Sequence, residues 1–376
     1  MYVWIKSVKE LMLSMKAVFY KCNAFLPLLF LAYVALPSCR TVADNGRREV
    51  TKTVIGSPMK VVDLYGYRII GAYNDFLFLH ESRDTARLVV YKVEGDSLKY
   101  YKGLINKGRG PYDFYYAEFS LSGDTLFVSN SDPTGMKDIF SIPLDDMSRI
   151  DDPQVWKKNS LSEYDIQTGL SFAPYGNGQF IIAGGKSDSR ELFSLLDFHR
   201  DPERQAIDFF PNDSTSGPLF AKQSVYMECR MRPGKDCFLY ANRSARYMFI
   251  AAVKDGSLVE KSVIYSHLPQ YEISPDGNYR LNSDGEDGIV PYSTTNRVYA
   301  QVGRTWKEIR ASDTYKGYPQ TYMDEIEVYD WNGRFIDNYQ TDRPFFTFAV
   351  TPDDRYLYTL SMDLDTGERV VMRYEL

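Results

Sequence analysis

Three histidines, His80, His199 and His267, are the only imidazoles in the 376-residue chain, and they fall far apart on different strand-like segments. A zinc site needs three or four ligands at one point. His80 ends a second strand and the other two end later ones, so their spacing argues against a shared metal. Asn282-Ser283-Asp284-Gly285-Glu286-Asp287-Gly288 sets oxygens at alternate positions, as Ca²⁺ prefers. An EF-type loop wants Gly sixth and Glu twelfth, where this chain has Asp287 and Ser293, so the segment reads as an acidic connection. No Gly-x-Ser-x-Gly elbow, His-Glu-x-x-His pair or phosphate loop occurs. We therefore expect no catalytic set, no cofactor and no metal.

Two further groups merit weighing. Gly303-Arg304-Thr305-Trp306 matches the end of a sialidase Asp-box, but Tyr299 and Gln301 replace the Ser and Asp that make its turn, so it carries no such meaning. Trp306 opens a long insertion, Thr305–Met323, in which Tyr315, Tyr318 and Tyr322 interleave with Lys307, Arg310 and Lys316. Aromatics beside cations can stack on a sugar or grip a peptide; the other reading is a cap over a neighbouring blade. Cys229 and Cys237 lie on the two arms of a hairpin read as turning at Pro233-Gly234. A one-residue offset would set them opposite each other, leaving a disulfide and two buried thiols as the alternatives.

The elements that carry these residues repeat. An apolar strand, a polar turn and an aromatic-rich strand occur at Arg68–His80, Ala117–Ser129, Leu170–Gly184, Tyr226–Asn242, Ile289–Val302 and Phe345–Leu360. Their turns are Asn-Asp, Ser-Gly-Asp, Gly-Asn-Gly or Pro-Gly, as hairpins require. Second hairpins follow at Arg87–Gly103, Tyr247–Tyr265 and Glu325–Gln340. Four strands per repeat, six times over, is the pattern of an all-β, six-bladed β-propeller. The last repeat is one strand short, ending in Arg369–Leu376. An unassigned strand-like segment, Glu49–Ile55 or Met59–Leu64, is left over to complete it and close the ring.

Between the first two repeats stands Lys107-Gly108-Arg109-Gly110-Pro111-Tyr112-Asp113-Phe114; Tyr329-Asp330-Trp331-Asn332-Gly333 and the ending Arg373-Tyr374-Glu375-Leu376 accompany it. Together they resemble the TolB-like six-bladed propeller lipoproteins of Gram-negative anaerobes. Where that family commonly shows Gly-Pro-Gly-Glu-Phe, this chain has Tyr112 and Asp113 in the middle. The resemblance implies the fold across the mature chain and is nearly silent on function. Gly108, Gly110 and Pro111 read as a rigid crossing between strands, with Arg109 as a candidate ligand contact.

At the N-terminus, Lys16 and Lys21 precede an apolar stretch, Ala24–Leu36, with the length of a signal-peptide core. It ends in Leu36-Pro37-Ser38-Cys39, which resembles a lipobox. The expected organisation is a lipoprotein signal peptide over 1–38, a tether over 39–48 behind a lipidated Cys39, and the propeller over 49–376. Arg40 and Thr41 carry no acidic cluster, which by resemblance to Gram-negative sorting suggests the outer membrane. The net charge of −6 is spread without a basic block, which disfavours nucleic acid. The functional expectation is a non-catalytic binding or scaffolding lipoprotein, held to the membrane by its lipid, with a glycan, peptide or envelope-protein partner. The alternative is a propeller enzyme of the lactonase or glycan-lyase type using the axial channel.

Overall fold

Short alternating runs punctuated by Gly, Asn and Asp can bury one face only as antiparallel strands. A computed structural model of the protein describes residues 47–81, 86–108, 110–132, 135–161, 164, 171–184, 191–199, 203–281 and 288–376. Cys39, Arg109 and residues 282–287 of the calcium-like loop lie outside the described residues. Two short strands come first, β1 (Lys52–Val54) and β2 (Ser57–Pro58). The first four-stranded meander is β3 (Arg68–Tyr73), β4 (Phe76–His80), β5 (Ala86–Glu94) and β6 (Ser97–Asn106). The second is β7 (Tyr116–Ser122), β8 (Thr125–Asp132), β9 (Gly135–Pro143) and β10 (Lys157–Ser160). The third is β11 (Ser171–Gly176), β12 (Gln179–Ala183), β13 (Phe193–Asp197) and β14 (Glu203–Ile207). Helix α1 (Leu219–Met227) leads into the fourth, β15 (Cys229–Gly234), β16 (Cys237–Asn242), β17 (Tyr247–Lys254) and β18 (Ser257–Ser266).

A hairpin of β19 (Tyr271–Ile273) and β20 (Tyr279–Leu281) follows. The remaining strands share one sheet: β21 (Ile289–Ser293), β22 (Arg297–Val302), β23 (Met323–Asp330), β24 (Phe335–Val350), β25 (Tyr356–Met362) and β26 (Arg369–Glu375). Helix α2 (Trp306–Ala311) is inserted between β22 and β23. The 16-residue β24 serves two meanders. Its first part pairs with β23, with Gln340 opposite Glu325, and its second part pairs with β25, with Phe345 opposite Ser361.

Apolar layers fill the space between consecutive meanders. Phe78 and Val90 pack with Phe119 and Phe140, Ile139 with Phe180, Phe193 with Phe238 and Phe249, and Leu239 with Val298. Another layer joins Leu77 and Val89 of the first meander to Phe348, Leu357 and Val371 at the other end of the chain.

Several expectations need correcting. Neither leftover segment pairs with β26 in the way expected. Lys52–Val54 runs parallel along Tyr339–Thr341 of β24. On the edge away from β25, β26 pairs with Ser57–Pro58, with Ser57 opposite Arg373, and Met59 N donates to Val371 O at 2.8 Å. Gly56 permits this path, since a Cβ there would come within 2.6 Å of the Tyr374 ring. Arg48 is held to the last sheet: Arg48 N donates to Glu327 Oε1 at 3.2 Å and Asn338 Nδ2 donates to Arg48 O at 2.9 Å. Tyr226 belongs to α1, so its hairpin begins at Cys229. That hairpin turns at Lys235-Asp236, with Asp236 at φ 54°, which sets Cys237 opposite Gly234 and Cys229 opposite Asn242. The cysteines are therefore well out of register; neither forms a disulfide, and both are buried.

Candidate functional site

Antiparallel pairing decides which loops share an end. Arg68, at the start of β3, pairs with His80 at the end of β4, and Ala86 pairs with Asn106 at the end of β6. Connections from a fourth strand to the next first strand, and from second strands to third, therefore emerge at one end. There lie the segment after β6, α1, the β19–β20 hairpin and α2. Most turns at the other end are tight, as at Asn74 and Asn177 with φ 49° and 47°; the exception is the β9–β10 connection.

At the elaborated end, first strands β3, β7, β11 and β15 adjoin one another and line a cleft. Arg68 reaches from β3, Glu118 from β7, Ser171 from β11, and Arg230 and Arg232 from β15. Arg68 Nη2 donates to Glu118 Oε2 at 3.0 Å, while Arg68 Nε is buried without a partner. Arg232 is held in place: its Nε donates to Pro291 O at 3.0 Å, and its guanidinium lies 5.4 Å from the Tyr292 ring centre. Tyr292, buried, reaches back toward β3, where its hydroxyl accepts from Ala72 N at 3.4 Å. Ser171 Oγ accepts from Met231 N at 3.1 Å, satisfying the free edge of β15. Arg230 makes no side-chain hydrogen bond or ion pair among the described residues.

The electrostatics are lopsided, with three guanidinium groups beside one carboxylate. Burial, and then the charge of Arg68, push the Arg230 guanidinium well below its ordinary value, with Glu118 as the opposing charge. Burial alone would raise the Glu118 carboxyl, but Arg68 and Arg230 override it and hold Glu118 below the usual range. Three cations drawn partly out of water around one shared carboxylate are costly. Beside the cleft, Tyr67 OH and His80 Nδ1 lie 3.1 Å apart, and the His80 ring meets Phe119 edge-on at 5.1 Å. Burial first, then Arg68, lower His80 to about 4, so the ring is neutral. Tyr115 and Tyr116 stand 40 % and 54 % exposed just before Glu118, anchored by Arg87 Nη2 donating to Tyr115 O at 2.5 Å.

The aromatic insertion has a different character. Thr305 and Glu308 form a reciprocal cap on α2. Tyr315 is buried, its hydroxyl donates to Asp324, and Arg304 lies over its ring at 5.2 Å. Tyr322 is buried and stacks on Phe346 with centroids 5.9 Å apart. Tyr318 packs on Tyr322, and Trp306 is half-buried against Ile309, Tyr315 and Met323. The insertion thus spends its aromatics on its own packing. Gly108 and Gly110 make room for Asp113, whose Oδ2 would lie 2.6 and 2.7 Å from a Cβ at either position. His80, His199 and His267 are not brought together, and no group of three or more His, Cys, Asp or Glu suited to a metal occurs among the described residues.

Sequence reasoning missed the arginines of the cleft. Arg68, Arg230 and Arg232 read as polar residues on alternating strands. The available signal was positional: Arg opens one first strand and Arg-x-Arg opens another, where each repeat comes nearest its neighbours.

Four-stranded antiparallel meanders in series, with adjoining first strands and apolar layers between them, define an all-β protein of the β-propeller type. No family model matches the chain, and no curated protein matches its sequence. Among solved structures it is similar to that of U3-55K, at 9% identity over 85% of this chain and 100% of that one, with TM-score 0.42. It is also similar to the WD40 repeats of RRP9, at 9% identity over 85% and 99% with TM-score 0.41. A third is a protein from Lactobacillus plantarum, at 10% identity over 82% and 84% with TM-score 0.39. Likeness at this level carries no argument about function.

Proposed function

We propose that the chain is an exported, lipid-anchored binding protein whose ligand enters the cleft at the elaborated end of the propeller. One observation carries the binding reading: Arg68, Glu118 and the Arg230–Arg232 pair come from three different sheets to one cleft. Catalysis of the lactonase or lyase kind would need a free acid–base pair there. Instead Glu118 is tied to Arg68 and His80 is buried against Tyr67 and Phe119, which favours binding over turnover. In this reading the propeller has six blades, β24 being shared by the last two, and is closed by the N-terminal segment. The β2–β26 pairing and the apolar layer joining Leu77 to Leu357 support it. So does the resemblance to the TolB-like lipoproteins, which also motivates the outer-membrane address. The partner is a glycan, a peptide or another envelope protein.

Screening glycans and peptides against the mature chain and its R68A/R230A variant tests the site. A ligand lost in the variant, at an unchanged melting temperature, supports it; ligands bound equally by both place binding elsewhere. Anchoring is tested separately. A fatty-acid analogue should label the wild type and not Cys39→Ala, and equal labelling of the two rejects lipidation at Cys39.

A further inference from the structure

The cleft also states what chemistry its ligand should carry. Arg230 offers guanidinium N–H donors that no described side chain uses, and Arg68 keeps a buried Nε without a partner. Arg232, held by Pro291 O and Tyr292, adds a fixed positive charge on the same strand. Such an arrangement calls for an anion. The cavity is small, about 30 Å³, where roughly 10–15 Å³ already admits one water. Glu118 already occupies one fork of Arg68, so a doubly charged group would meet the full repulsion of a like charge. A planar, singly charged group meets about half that repulsion and matches the flat fork of arginine. Outside, the exposed Tyr115 and Tyr116 rings offer an apolar ledge to the rest of the ligand.

We propose that the ligand presents a carboxylate to Arg230, with Arg68 and Arg232 as flanking cations. This rests on the binding reading above and sharpens it. The carboxylate could come from a sugar acid or from a peptide terminus, so the probes separate the two. Trigalacturonate is compared with its methyl ester, and acetyl-trialanine with its amide, by calorimetric titration of the mature chain. The expected result is that one acid binds, that its neutral derivative binds at least about tenfold more weakly, and that added salt weakens the acid alone.

Arg230→Met supplies a readout that a structural role would not give. Removing a half-buried cation that makes no side-chain hydrogen bond among the described residues should leave the melting temperature of the ligand-free protein unchanged or raise it, while abolishing acid binding. A lower melting temperature together with intact binding overturns the proposal. Equal binding of acid and neutral forms, still lost in Arg230→Met, rejects the carboxylate and keeps the cleft. Binding that Arg230→Met does not touch rejects the cleft itself. Stronger competition by inorganic phosphate than by the carboxylates reassigns the site to a different anion, and failure of both acids to bind also overturns the proposal.

Discussion

Burial and the neighbouring Arg68 keep His80 neutral down to about pH 4, against an ordinary value of 6.5. Between those limits the unfolded chain takes up a proton that the folded chain refuses. His80 thus favours the folded state fully above pH 6.5, and that contribution is lost as pH falls toward 4. The loss is at most about 3 kcal/mol. In His80→Gln the acid side of the stability profile should flatten over this window, measured by urea unfolding at stepped pH; an unchanged slope means His80 is not the titrating group. The cysteines give a second residue-scale test. Burial pushes the Cys229 thiol up to about 12, so it should resist alkylation in the native protein. After denaturation without reductant, mass mapping should find both Cys229 and Cys237 alkylated, whereas a protected pair would mean they are bridged.

At the scale of elements, the hairpins were legible because their turns announce themselves: Asn74, Asn177 and Asp236 all adopt the positive φ that only a few residue types tolerate. The strand β2 was not legible. Two residues, one of them Pro58, carry no alternation, and only the Met372 and Arg373 edge they meet makes them a strand. Helix α1 was hidden for a similar reason, since its helical pattern directly adjoins the strand pattern of β15. The cleft was illegible in the way long-range sites usually are, since Arg68 and Arg230 are neighbours only after several meanders have folded. Connections can be decisive too. Gly288 N-terminally abuts β21, where a Cβ would lie 1.9 Å from the Arg243 carbonyl carbon. Backbone must move to admit it, so Gly288→Ala should destabilise by about 3 kcal/mol or more, read as a shifted unfolding midpoint; a neutral effect would show that this loop adapts freely.

On the scale of the molecule, the first and last of the described strands meet in one sheet. Val54, Met59, Val371 and Tyr374 share an apolar layer with Leu77 and Val89. Chains beginning at Arg47, at Glu49 and at Gly66 separate the contributions. Starting at Glu49 removes the Arg47–Glu325 ion pair and the Arg48 hydrogen bonds, and should lower the melting temperature modestly. Starting at Gly66 also removes β1, β2 and Met59. Each buried hydrogen bond left unmade costs about 1–3 kcal/mol against a usual domain stability of about 5–15 kcal/mol. That chain should lose cooperative unfolding or aggregate. If it melts like the longest one, the N-terminal strands are dispensable.

The direction of β1 also sets how the domain would bear a mechanical load. Because β1 runs parallel to β24, a pull on the N-terminal end acts along the strand, not across it. The bonds joining Lys52–Val54 to Tyr339–Thr341 are then sheared as a group, where a perpendicular pull would open them one at a time. Ahead of them stands the Arg47–Glu325 contact at 3.8 Å, and behind them the β2–β26 pair. A pull entering at Arg47 would therefore be arrested at β24 before it reached the edge of the last sheet, making these few residues a strain relief for the whole fold.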